Sequence, residues 1–281
     1  MTSRLDRTFA GLRDRNGKAL IAYIMAGDPT LQDTERLVLE LEQAGADVIE
    51  LGVPFSDPIA DGAVIQQAAE RALRNGTSLR KIIPMVKTLR NKTQIPLVFM
   101  AYYNTIHAFG PERFCREAVA AGIDGLIVPD MPPDEAGPLE EPAAETGLQL
   151  IYLVAPTSTT ERRSYVVRRS QGFVYYVSLT GITGAKLSNL ADVRANVEKI
   201  RKISAIPVAV GFGVATSEDA AKVAAIADGV IVGSAIVKRI AAHQQDNGMV
   251  VQVGSFVKSL KAAMVSSSIA TSRQQPSSRT S

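Results

Sequence analysis

Short apolar runs rich in Val and Ile alternate with longer amphipathic stretches rich in Ala, Leu, Glu and Arg along nearly the whole chain. Strands that read as continuous apolar runs are buried on both faces, and helices between them supply the cover, so the alternation points to a parallel sheet. Strands are expected over 19–25, 47–52, 96–101, 125–128, 148–154, 173–178, 207–210 and 229–232. Helical spacing covers 31–44, 63–73, 79–89, 111–121, 134–146, 160–170, 192–203, 217–225, a stretch from 235, and 249–265. Leu5, Phe9 and Leu12 add a leading helix at the N-terminus. Eight strand–helix units in one chain favour a single (β/α)8 (TIM) barrel. An open doubly wound sheet would usually bring a Gly-rich dinucleotide loop after an early strand, and this sequence has none. The length of 281 residues suits one barrel, assigned to 1–265. From Ser266 the chain turns to Ser, Thr, Gln and Pro, and 266–281 is expected to be a disordered tail.

Composition excludes several classes of function. The formal net charge is only +3, and no dense Lys/Arg patch is interleaved with aromatics, which argues against nucleic acid. No stretch approaches membrane-spanning length, and the first fifteen residues lack the apolar run of a signal peptide. The single cysteine, Cys115, has no partner for a disulfide or a zinc site. That usage suits a reducing compartment, and the expectation is a cytoplasmic protein, with a plastid left as the alternative if a transit peptide has been removed. The only histidines are His107 and His243, so a His-based metal site is not expected. No lysine ends an expected strand, which leaves a Schiff-base aldolase without its amine; Lys186, the nearest, falls in a loop.

The second strand carries the most chemical information. Side chains alternate across a strand, so Ile49 and Leu51 share the face toward the outer helices. Val48, Glu50 and Gly52 then point into the barrel. An inward carboxylate near the C-terminal end of a strand sits where barrel enzymes keep catalytic groups, although a structural Glu paired with a buried cation would read the same way. The following loop, Val53-Pro54-Phe55-Ser56-Asp57-Pro58-Ile59-Ala60-Asp61-Gly62, brings Asp61 either over the barrel mouth or to the N-cap of the next helix. Gly211-Phe212-Gly213 and Gly233-Ser234 end the last two strands and run into helices, a pattern that commonly binds phosphate in such barrels. The loop from Leu179 to Lys186 has two glycines and small polar residues, as a lid or a plain surface loop would. Tyr175 and Tyr176 must face opposite ways, and parity does not say which points inward.

The stretch Glu50 to Pro58, continued through Ala60-Asp61-Gly62, closely resembles the signature of tryptophan synthase alpha subunits. Further matching segments are Ala26 to Pro29, Met100 to Asn104, Gly181 to Gly184, Gly211 to Gly213 and Gly229 to Ser234, in the family's order. The resemblance implies cofactor-free retro-aldol cleavage of indole-3-glycerol phosphate to indole and glyceraldehyde 3-phosphate. It implies that Glu50 is the principal acid/base and that Asp61 holds the indole N–H. Tyr23, Ile65, Tyr102, Tyr175 and Phe212 match positions that line the indole pocket. Gly184, Gly213, Gly233 and Ser234 match the phosphate site, and Thr183 matches a loop residue that positions the aspartate. It also implies a beta-subunit partner in an alpha2beta2 complex, faced by Asp57, Asn104 and Pro132, with any pyridoxal phosphate held by that partner. Tyr23 departs from the phenylalanine common at its position.

Other readings stay in competition at this level. A stand-alone lyase releasing free indole needs the same carboxylates and loops. A regulatory barrel that has lost catalysis would not need Glu50 and Asp61. A phosphosugar isomerase would share the two glycine turns but fits the segment from Glu50 to Asp61 poorly.

Overall fold

The computed structural model describes residues 3–177, 190–211 and 213–273, the last seven of these by backbone alone. In chain order the elements are α1 (Arg4–Asp14), β1 (Ala19–Met25), α2 (Leu31–Gln43), β2 (Val48–Gly52), α3 (Ala63–Arg74), α4 (Leu79–Leu89) and β3 (Leu97–Met100). They continue with α5 (Tyr103–Phe109), α6 (Pro111–Ala121), β4 (Gly125–Ile127), α7 (Gly137–Thr146), β5 (Gln149–Leu150), β6 (Leu153–Val154), α8 (Thr160–Arg169) and β7 (Val174–Val177). The last are α9 (Leu190–Arg201), β8 (Val208–Gly211), α10 (Ser217–Ala224), β9 (Gly229–Val232), α11 (Ser234–His243) and α12 (Met249–Arg273).

Every strand pairing is parallel, and the order is β5-β4-β3-β2-β1-β9-β8-β7-β6. The two ends of that order are halves of one stretch, the strand expected over 148–154. Between them Ile151 donates its N–H to Leu126 and Tyr152 accepts from the Tyr175 N–H, at 2.9 and 3.1 Å. The stretch thus hands over from one neighbour to the other and closes the barrel. Ile49 and Leu51 join the layer between sheet and helices, whereas Val48 packs inside the barrel with Ile21, Val98, Ile127, Ala209 and Ile231. Helix α1 plugs the N-terminal end of that interior. Its Ser3–Asp6 capping box fixes the helix start. Leu5, Phe9 and Leu12 are then buried on one face, and the Phe9 and Phe173 rings lie 5.7 Å apart. Each such side chain contributes roughly 1.5–3 kcal/mol by leaving water.

The same end carries a repeated device. Asp47, Asp124 and Asp228 stand just before β2, β4 and β9, and each exchanges two hydrogen bonds with the neighbouring strand. The carboxylates accept the N–H groups of Leu20, Leu97 and Val208 at 2.7, 2.9 and 3.0 Å. The three aspartate N–H groups return bonds to the carbonyls of the same residues. Gln171 and Leu150 make the equivalent pair with an amide. Each carboxylate also has cations: Lys261 on Asp47, Arg4 and Arg90 on Asp124, Lys18 and Arg201 on Asp228.

Two elements differ from the sequence reading. Helix α5 follows β3 directly, where no helix was expected; it is short, only Ile106 is buried on it, and so it lacks a periodic apolar face. Helix α12 continues to Arg273, past Val265, because Ser, Ala and Thr are tolerated in a helix and the first breaker is Pro276. Residues 274–281 of the expected tail lie outside the described residues.

Candidate active site

The register of β1 and β2 places Tyr23 beside Glu50, both pointing into the barrel above the apolar layer. Glu50 is 1 % exposed, and its Oε2 has no hydrogen-bond partner among the described residues. Burial pushes its carboxyl up to about 8, with the charge of Asp61 adding to the rise. Among the described residues no cation is paired with it. Glu50 therefore holds its proton at neutral pH, the kind of perturbation found at sites of proton transfer.

Asp61 reaches the same chamber from the loop after β2. The N-cap of α3 is Gly62, without a side-chain cap bond, so Asp61 does not serve as the helix cap. Its carboxylate instead accepts a hydrogen bond from Tyr102, while the Tyr102 oxygen accepts the N–H of Ala60 at 2.9 Å. Phe55 stacks on the Tyr102 ring with centroids 5.2 Å apart. The loop is thereby fastened to the end of β3 at both backbone and ring. Burial raises the Asp61 carboxyl to about 6, with the Tyr102 hydrogen bond opposing the rise. Asp61 is the stronger acid and ionises first, so their mutual repulsion falls on Glu50. Near neutral pH the pair holds one ionised and one protonated carboxyl.

Two glycines make room for tyrosine side chains in this chamber. A Cβ on Gly52 would lie 2.2 Å from the Tyr23 hydroxyl oxygen, and one on Gly211 would lie 2.5 Å from the Tyr175 ring. Tyr175 is the inward member of its pair; Tyr176 is buried in the outer layer. Ile65 packs with Tyr23 and Met25 on the inner side of α3. Tyr23, Ile65, Tyr102 and Tyr175 thus gather around the two carboxylates.

At the ends of β8 and β9, Gly213 adopts a φ of +50°, open to glycine, and Gly233 is the N-cap of α11 with Ser234 as its first residue. The first N–H groups of such a helix have no partner within it. Thr183, Gly184 and Phe212, and the loop from Leu179 to Lys186, lie outside the described residues.

Asp57 and Asn104 are exposed and Pro132 is half-buried. Sequence reasoning passed over Ile59, two residues after Asp57, which is 85 % exposed on the Asp61 loop. The signal was an aliphatic residue between two aspartates in a loop with no apolar periodicity. His107 is exposed, and His243 pairs with Asp246 at 2.9 Å. Among the described residues no cluster of His, Cys, Asp and Glu could hold a metal ion, and no helix is long and apolar enough to cross a membrane.

A family model described as "Tryptophan synthase alpha chain" matches residues 9–265. The chain belongs to the tryptophan synthase alpha family. The alpha chain of Geobacter sp. (strain M21) is 48 % identical over 95 % of this chain and 99 % of its own length. That of Citrifermentans bemidjiense is 49 % identical with the same coverage. Among solved structures, tryptophan synthase subunit alpha from Legionella pneumophila str. Paris is 38 % identical with a TM-score of 0.89, covering 95 % of this chain and all of its own. Tryptophan synthase from M. tuberculosis in its aminoacrylate-bound form gives 36 % and 0.83, covering 94 % and 100 %. Alpha chains of this family are carbon–carbon lyases of tryptophan biosynthesis, cleaving indole-3-glycerol phosphate, and they work joined to a beta subunit.

Proposed function

We propose that Glu50 and Asp61 carry the cleavage of indole-3-glycerol phosphate in this chain. The observation that supports this most is the orphaned, buried carboxyl of Glu50 beside an Asp61 held by Tyr102. Glu50, protonated at rest, gives its proton to C3 of the indole. Asp61, ionised, accepts the indole N–H and offsets the positive charge that develops on the ring. The Glu50 carboxylate so formed takes the proton of the adjacent side-chain hydroxyl as the carbon–carbon bond breaks. The bonding pair returns to the ring, indole leaves with its new C3–H bond, the side chain leaves as the aldehyde of glyceraldehyde 3-phosphate, and Glu50 ends as it began.

Tyr23, Ile65, Tyr102, Tyr175 and Phe212 would enclose the ring and side chain. Gly184, Gly213, Gly233 and Ser234 would bind the phosphate through backbone N–H groups, aided by the N-terminus of α11. Thr183 would orient Asp61. Asp57, Asn104 and Pro132 would face the beta subunit of an alpha2beta2 complex. Nothing in this chemistry calls for a cofactor in the alpha chain, and pyridoxal phosphate belongs to the beta partner. The expected setting is the cytoplasm.

The test is indole release from indole-3-glycerol phosphate by the purified chain, with and without a beta subunit. Slow release that rises with the partner is expected. Fast release without any rise would favour a stand-alone lyase, and no release in either case would overturn the reading. Glu50→Gln is expected to lower kcat by about a hundredfold or more, since proton transfer by a positioned side chain is typically worth that much.

A further inference from the structure

Tyr23 lies between the two ends of the site. Its strand, β1, pairs with β2 on one side and β9 on the other. Its stem lies against the turn after β9: a Cβ on Gly233 would sit 3.5 Å from the Tyr23 Cβ. Its hydroxyl extends the other way, over Gly52 on β2, two residues beyond Glu50 on the same inward face. One side chain therefore spans from the anion-binding turn to the acid/base carboxyl. A substrate that places its phosphate at Gly233 and its reacting carbon at Glu50 must lay its connecting chain along this tyrosine.

Among the described residues the Tyr23 hydroxyl is also uncommitted. The residue is 5 % exposed, yet no hydrogen bond to a described residue involves its oxygen. Tyr102, by contrast, spends its hydroxyl on Asp61 and Ala60. Burial, then the charges of Asp61 and Glu50, oppose ionisation of Tyr23, so it remains an O–H donor. A hydroxyl at the chamber that bonds no described residue is available to a ligand that enters there.

We propose that Tyr23 is a specificity-determining residue whose hydroxyl hydrogen-bonds the hydroxylated three-carbon side chain of the substrate, rather than merely lining the indole pocket. This rests on the reading of the site given above. A phenylalanine at this position would keep the ring and its packing but lose the recognition of the side chain.

The experiment measures binding of two ligands to the full chain carrying Glu50→Gln, which prevents turnover, with and without Tyr23→Phe. One ligand is indole-3-glycerol phosphate and the other is indole-3-propyl phosphate, identical except that it lacks the side-chain hydroxyls. Loss of one neutral hydrogen bond should weaken glycerol phosphate binding about 2- to 12-fold and leave propyl phosphate binding unchanged. Equal weakening of both ligands would show that Tyr23 acts through packing alone and would overturn the proposal, as would no change in either. Failure of the parent Glu50→Gln chain to bind either ligand would overturn the reading of the site itself, and the proposal with it. The circular dichroism of the two chains should coincide, since the substitution removes only an oxygen that bonds to no described residue.

Discussion

The raised Glu50 carboxyl has a consequence for stability that can be measured without substrate. In the unfolded chain this group titrates near 4.5, and in the folded barrel at about 8. Below the lower value both states carry the proton, and folding is not taxed. Between the two values the unfolded state releases the proton while the folded state retains it, so stability falls as pH rises. Above about 8 both states are ionised and the loss is complete. Every tenfold fall in proton concentration across that interval costs about 1.4 kcal/mol, so this one carboxyl should cost roughly 3 kcal/mol at pH 7 and about 5 kcal/mol near pH 9, as an order of magnitude. Glu50→Gln removes the titrating group while keeping its shape. The variant should therefore match the parent protein near pH 4.5 and become progressively more stable than it toward pH 9. Urea midpoints of both proteins, measured at pH 4.5, 7 and 9, read this difference directly. Placing both in an Asp61→Asn background should shrink the gap, since the Asp61 charge helps hold the Glu50 proton, but should not abolish it, since burial contributes more. A stability difference that stays constant across the pH range would refute the reasoning, because it would mean that Glu50 ionises as freely inside the barrel as outside.

Other outcomes follow from the same geometry. Gly52→Ala should cost about 1–3 kcal/mol by driving its Cβ into Tyr23, 2.2 Å away, and shortening the tyrosine to Leu in the same chain should restore the melting temperature but not the lyase activity. Asp47→Ala leaves the Leu20 N–H and the Lys261 ammonium without their partner, so thermal stability should fall by about 1–3 kcal/mol while kcat stays within about twofold. Ile59→Asp should leave indole release by the isolated chain unchanged and weaken the stimulation by a beta subunit, as read from a titration of activity against beta concentration.

The parts of the fold legible in the sequence are those where burial imposes a pattern on the chain. Strand β1 needs an apolar side chain at nearly every position, and its bounds of 19–25 match the structure residue for residue. The inward direction of Glu50 follows from the two-residue period of β2 and the apolar neighbours Ile49 and Leu51. Helix α5 escaped because it buries Ile106 alone. The break of the fifth strand into β5 and β6 escaped because pairing to different neighbours leaves no mark on composition. Parity could not choose between Tyr175 and Tyr176, since both faces of a barrel strand are buried; the choice is made by Gly211 on β8, which leaves space for one ring and not the other. The same holds for Asp61. Its place beside Gly62 also reads as a helix cap, and what separates the two roles is that the N-cap falls on Gly62 and that the carboxylate bonds to Tyr102, 41 residues away.

The two ends of the barrel treat carboxylates in opposite ways, and the contrast explains why one end can do chemistry. At the N-terminal end Asp47, Asp124 and Asp228 each receive a backbone N–H and at least one cation, so they brace strand to strand. At the C-terminal end, among the described residues, Glu50 receives neither, and Asp61 receives a single side-chain hydroxyl. Supplying Glu50 with an arginine would fix the carboxyl in its ionised form, ending its use as an acid. Leaving it bare keeps the proton on at neutral pH and makes its departure sensitive to what enters the chamber. An indole ring growing positive beside Asp61 is one such entrant, because the same charge that Asp61 neutralises also eases ionisation of Glu50. In the proposed mechanism, proton donation by Glu50 and charge stabilisation by Asp61 are then one event seen from two residues. Neutralising Asp61 should accordingly impair the protonation step more than the binding of substrate, lowering kcat with a smaller effect on KM. A rise in KM with kcat preserved would assign Asp61 to binding alone.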